Sequence, residues 1–129
     1  MPVRLSKTQA RAYGLKPKAT KLTARQRYDG YASSWEQEYA TYLDMLRVRR
    51  EIISWSYESI KLLLGTRATY TPDFLLETTE QLIEIHEIKG RMYAAGMAKL
   101  RIAARQFPQF RFLLVRKVNG MWDYEEIPR

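Results

Sequence analysis

The chain has 129 residues, no cysteine and one histidine, His86, so neither a disulfide framework nor a zinc cluster of Cys and His ligands can form. Its 46% hydrophobic and 12% aromatic residues suffice for one domain with one core, and no apolar run approaches the ~20 residues of a membrane span. The opening MPVRLSKTQAR lacks the apolar segment of a secretory leader, so a soluble, cytoplasmic protein is expected.

The net charge of +8 is unevenly placed. Residues 1–30 hold eight basic residues (Arg4, Lys7, Arg11, Lys16, Lys18, Lys21, Arg25 and Arg27) against Asp29 alone, a net of +7. The remaining chain holds 14 basic and 13 acidic residues, a net of +1. A basic arm on a nearly neutral domain suits a polyanion, of which nucleic acid is the commonest. A solvated tail that aids solubility is the alternative.

Residues 1–31 show weak periodicity and carry Gly14, Pro17 and Gly30. They read as an arm, with a short helix near Thr23 to Tyr28. Residues 34–50 read as a helix with an apolar stripe of Trp35, Tyr39, Tyr42, Leu43 and Leu46. Ser33 suits its N-cap, and Ser33-x-x-Glu36 fits a capping box. The β-branched and aromatic run EIISWSYESIKLLL predicts a strand from about Ser54 to Leu62, with a turn at Gly65 to Arg67.

Residues 68–76 and 82–89 predict a hairpin. Centred on Glu80, it opposes residues whose numbers sum to 160, so Asp73 faces Glu87 and Thr71 faces Lys89. Alternation puts Ile83, Ile85, Glu87 and Lys89 on one face, and Leu82, Glu84, His86 and Ile88 on the other. Residues 92–107 predict a second helix with a stripe of Tyr93, Met97, Leu100, Ala104 and Phe107; Arg101 and Arg105 share another of its faces. Pro108 ends it, FRFLLVRKV reads as a strand, and Asn119-Gly120 turns the chain into a last strand, MWDYEEI. The expectation is an α/β domain, a mixed sheet with flanking helices, over residues 32–129.

Opposed carboxylates on a half-buried ribbon repel, and a charge out of water needs a partner. One carboxyl can stay protonated, Lys89 can neutralise part of the charge, or a divalent cation can bridge the pair. All-oxygen ligation suits Mg²⁺ or Mn²⁺, and with a basic arm it points to metal-assisted phosphodiester hydrolysis. A shift of register by one residue would instead put Asp73 in the turn region and leave Glu87 solvated. His86 faces away from Glu87 and reads as a surface or sheet-packing residue. Lys99, Arg101 and Arg105 either touch phosphates or form a solvated face.

Pro72-Asp73 followed by Glu87-Ile88-Lys89 resembles the PD-(D/E)xK pattern of restriction-endonuclease-like nucleases. More specifically, SSWEQEYATYL, WSYES, TYTPDFLL and EIKG, in that order, resemble phage endonuclease I and related phage Holliday junction resolvases, across roughly residues 33–116. The resemblance implies an αβββαβ core and a homodimer that cleaves four-way or otherwise branched DNA. It implies Asp73, Glu87, the backbone carbonyl of Ile88 and Glu36 as the Mg²⁺ (or Mn²⁺) site, with Lys89 as the catalytic lysine. Helix geometry leaves Glu38 open as the competitor of Glu36, and the choice between one and two metals stays open. DNA contacts are expected from the arm, Arg91 and Lys99, and a phage or prophage origin inside a bacterial host follows from the same likeness. Other nuclease specificities, a non-catalytic DNA-binding protein and a structural phage or assembly factor are the alternatives.

Overall fold

The structure, a computed structural model, describes residues 21–90 and 94–129. A short helix α1 (Ala24–Arg27) precedes helix α2 (Ser34–Val48) and strand β1 (Ile52–Tyr57). A two-stranded ribbon follows, β2 (Leu62–Leu63) with β3 (Thr69–Tyr70), and then β4 (Phe74–Thr78) and β5 (Ile83–Ile88). Helix α3 (Ala94–Gln106) leads to β6 (Arg111–Val118) and β7 (Met121–Ile127). The main sheet has the order β1-β4-β5-β6-β7 and is mixed: β5 and β6 run parallel across the α3 crossover, and the other pairs are antiparallel.

Both faces of this sheet are covered. Leu100, Ala103 and Ala104 of α3 pack with Ile85, Phe112, Leu114 and Ile127 on one side. Tyr39, Ala40 and Leu43 of α2 pack with Phe74, Leu76 and Val115 on the other. The buried positions of α2 are Glu36, Tyr39, Ala40 and Leu43, spaced i, i+3, i+4, i+7 along one helical stripe. Tyr93, expected on the α3 stripe, lies outside the described residues; Met97 and Phe107 pack at the edge of the α3 core.

The β4–β5 pairs Phe74–His86, Leu75–Ile85, Leu76–Glu84 and Glu77–Ile83 all sum to 160, the register expected from the hairpin. The turn falls at Thr78 to Leu82, closed by the Gln81 amide donating to the Thr78 carbonyl at 2.9 Å. Asn119 and Gly120, with φ of 50° and 76°, form the last hairpin turn, where a left-handed pair matches the strand twist.

Two strand expectations are corrected. The strand placed at Ser54–Leu62 ends at Tyr57, because Glu58 takes φ 46° and redirects the chain. Residues 62–70 then form a ribbon of their own outside the main sheet. The strand placed over residues 68–76 is split after Tyr70, where buried Pro72 has no amide to give to a ladder. Of the two readings open for His86, sheet packing holds: it is 4% exposed in β5. Its Nδ1 lies 2.6 Å from the Tyr39 hydroxyl and its Nε2 3.0 Å from Glu84, so both ring nitrogens are partnered.

Candidate metal centre

The acidic centre gathers where α2 begins, β1 ends, β4 begins and β5 ends. Ser33 caps α2 by accepting from the Glu36 amide at 3.2 Å. The expected capping box is not completed: the Glu36 carboxylate does not reach back to the Ser33 amide. It accepts instead from the Ser33 hydroxyl (2.6 Å) and the Tyr57 hydroxyl (2.9 Å). Glu36 is thus held on the buried stripe of α2 at 7% exposure, in the first turn, where the helix dipole favours an anion.

Glu58 arrives from β1. Its amide donates to the Asp73 carbonyl at 2.8 Å, so the end of β1 and the start of β4 stay side by side even though the ladder has ended. One carboxylate oxygen each from Glu36, Glu58 and Asp73 then lies within 4.8 Å of the others. Asp73 is further fixed by the Ile88 amide, which donates to its Oδ2 at 2.8 Å. Glu87, opposite Asp73, turns its Oε2 to the Tyr70 hydroxyl (2.6 Å) and the Asp73 amide (3.2 Å). Lys89 is half-buried at the end of β5, where its amide donates to the Val115 carbonyl at 2.7 Å.

Electrostatics follow from this crowding. Burial, then the negative charges of Glu87 and Glu36, push the Asp73 carboxyl up to about 9, against the pull of the Ile88 amide. Burial likewise pushes Glu87 up to about 7, although the hydrogen bonds from Tyr70 and the Asp73 amide pull it down. Near neutral pH the metal-free centre therefore sheds negative charge by keeping protons. A divalent cation would displace them, which is how carboxylate sites couple metal affinity to pH.

The donors fit such an ion. They are oxygens only, which select a hard cation over zinc or copper. Three carboxylate oxygens within 4.8 Å of one another are close enough for their side chains to converge on one such ion. Glu36, Glu58 and Asp73 would hold the ion, and Glu87 stands next to them through the Asp73 amide.

The structure separates the expected residues. Glu36 and Asp73 share the centre, Glu87 and Ile88 touch Asp73, and Lys89 is the residue after β5 ends. Glu38 is exposed and pairs with Lys117, which leaves Glu36 as the helical carboxylate of the centre. Sequence reasoning missed Glu58, and Tyr57 and Tyr70 as the hydroxyls that orient Glu36 and Glu87. An isolated glutamate after WSY inside an apolar run was the only trace of it.

Among expected DNA contacts, Lys21, Arg25, Arg27 and Lys99 are exposed, and Lys99 Nζ donates to the Thr69 carbonyl at 3.2 Å. Arg101 and Arg105 are exposed on α3. Arg4, Lys7, Arg11, Lys16, Lys18 and Arg91 lie outside the described residues. No helix among the described residues is long and apolar enough to cross a membrane. No protein-family model, curated protein or solved structure matches the chain.

Proposed function

We propose that this protein is a Mg²⁺- or Mn²⁺-dependent endonuclease that hydrolyses phosphodiester bonds in DNA, with branched DNA such as the four-way junction as its substrate. The observation that carries this reading is the convergence of Glu36, Glu58 and Asp73 within 4.8 Å, with Glu87 joined to them through the Asp73 amide. The PD…ExK order of residues 72–89 and the net +7 of the first thirty residues support it.

A bound divalent ion supplies Lewis acidity toward the phosphate and lowers the pKa of coordinated water. The chain's own residues do the rest. Glu36, Glu58 and Asp73 would hold the ion, while Tyr57 and Ser33 keep Glu36 aimed and the Ile88 amide keeps Asp73 aimed. Glu87, with its pKa raised by burial, is suited to take a proton from the attacking water near neutral pH. Lys89 supplies positive charge where the phosphate becomes more negative. Water oxygen bonds to phosphorus, the bond to the 3′ oxygen breaks, and the leaving 3′ oxygen takes a proton, which leaves a 5′-phosphate. A homodimer would set two such centres about a two-fold axis, matching the symmetry of a four-way junction. The basic residues of the arm and Lys99 would neutralise phosphates, so binding falls steeply with salt. The work is proposed to occur in the cytoplasm of a bacterial host.

The test is a cleavage panel of junction, flap, duplex and single-stranded DNA, with Mg²⁺ or with excess chelator, beside Asp73→Asn. Metal-dependent cutting that favours the junction and is lost in Asp73→Asn supports the reading. Equal cutting of all substrates removes the preference for branches. Tight DNA binding with no cutting by the native protein in either metal sinks the nuclease and leaves a binding protein.

A further inference from the structure

One cation already touches the acidic centre. Arg25 Nη2 lies 2.8 Å from Glu58 Oε1, and Arg25 Nη1 donates to the Gly30 carbonyl at 2.9 Å. The guanidinium carbon also sits 5.9 Å from the centroid of the Tyr57 ring, the ring whose hydroxyl holds Glu36. Arg25 is therefore held by Glu58 and Tyr57, which belong to the site, and by the Gly30 carbonyl.

Its backbone is fixed as well. Thr23 and Gln26 form a reciprocal capping box on α1. Tyr31 packs edge-on against Tyr57 at 4.7 Å between ring centroids, and the Ala32 amide donates to the Tyr57 hydroxyl at 3.2 Å. The end of the basic segment is built into the rim of the centre.

A guanidinium has five N–H donors in a rigid fork, and the contacts above use two. The Arg25 side chain remains 51% exposed, so its other donors face solvent beside the carboxylates. A phosphodiester held at a divalent ion among Glu36, Glu58 and Asp73 would lie at this rim, where its oxygens would meet a planar fork suited to bidentate phosphate contact.

We infer that Arg25 is the phosphate-binding residue of this centre: it pairs with Glu58 in the free protein and turns its fork onto the DNA phosphate beside the scissile bond when substrate binds. This rests on the nuclease reading above and gives one residue of the arm a role distinct from diffuse charge neutralisation.

The experiment is single-turnover cleavage of one labelled junction in saturating Mg²⁺ by the native protein, Arg25→Gln, Arg25→Lys and Arg47→Gln, with Mn²⁺ calorimetry of each without DNA. Arg47 pairs with Asp44 on the outer side of α2 and controls for loss of one positive charge. Arg25→Gln should lower kcat/KM about ten- to a hundredfold while Mn²⁺ affinity is not weakened, because the cation sharing Glu58 is gone. Arg25→Lys, which keeps the charge and the partner but not the fork, should fall between. Arg47→Gln should cut within about twofold of the native protein.

If Arg25→Gln and Arg25→Lys cut like Arg47→Gln, the inference is overturned while the nuclease stands. If Arg25→Gln loses Mn²⁺ affinity in step with cleavage, Arg25 serves only to hold Glu58, and the inference is again overturned. Failure of the native protein to bind Mn²⁺ or to cut strikes the nuclease reading itself. Should Arg25→Gln not fold, Arg25→Lys decides alone: native kcat/KM overturns the inference, and a loss at undiminished Mn²⁺ affinity supports it.

Discussion

Replacing Asp73 by asparagine should stabilise the metal-free protein and abolish its response to divalent cations. Two unit charges at the 4.8 Å limit of the cluster repel by about 3.5 kcal/mol at an effective dielectric of ~20. The protein avoids that cost by protonating Asp73, whose carboxyl is pushed from an ordinary 3.8 up to about 9. Because the folded-state pKa is raised, the site is unpenalised below about pH 4 and loses stability as pH climbs toward 9. Asparagine keeps an oxygen to accept from the Ile88 amide and carries no charge. Discounted for partial exposure, its advantage near pH 7 is about 2–3 kcal/mol, or roughly 6–15 °C in Tm for a chain of this size. Thermal unfolding in chelator at pH 4, 7 and 8.5 measures it, repeated with millimolar Mn²⁺. The advantage should vanish at pH 4 and grow with pH. Mn²⁺ should raise the Tm of the native protein and leave Asp73→Asn unmoved. An asparagine variant less stable than native at pH 7 in chelator, or an advantage independent of pH, would refute the reasoning.

Other substitutions divide the site from its scaffold. Glu58→Gln should weaken Mn²⁺ binding at least about tenfold by calorimetry, whereas Glu38→Gln, which only frees Lys117, should leave it unchanged. Tyr70→Phe removes a hydrogen bond that pulls the Glu87 pKa down, so the acid limb of the pH–rate profile should move to higher pH, with activity near pH 6 down roughly tenfold. Leu43→Ala empties a fully buried position between α2 and the sheet; it should cost about 2–5 kcal/mol in urea unfolding. The folded Leu43→Ala protein should still bind Mn²⁺.

Much of the frame was legible because local pattern decides it. The alternation in residues 83–88 and the polar TTEQ turn fix the β4–β5 register through Phe74–His86, and the next residue out, Asp73, meets Glu87 through its amide. The short helix at Ala24–Arg27 follows from its Thr23 cap, and the last hairpin from Asn119-Gly120. Helix spacing also separates Glu36 from Glu38: Glu36 stands three, four and seven residues before Tyr39, Ala40 and Leu43, on the stripe that α2 buries.

What escaped depends on partners distant in the chain. Glu58 joins the centre because φ 46° ends β1 beside Asp73, fifteen residues on, and no periodicity announces a single left-handed residue. The choice between surface and sheet packing for His86 rests on Tyr39, forty-seven residues earlier, and Glu84, which together satisfy its ring. Arg25 reads in the sequence as one of eight dispersed arm charges, and only the docking of Tyr31 and Ala32 on Tyr57 brings it to Glu58.

Titrating Mn²⁺ into the protein near pH 8, followed by electron paramagnetic resonance of the free ion, tests the acidic centre most directly. Saturable binding by the native protein that is lost on Glu36→Gln, Glu58→Gln or Asp73→Asn, with each variant folded, is the predicted result. Binding that survives all three substitutions, or no binding by the native protein at millimolar Mn²⁺, would contradict it.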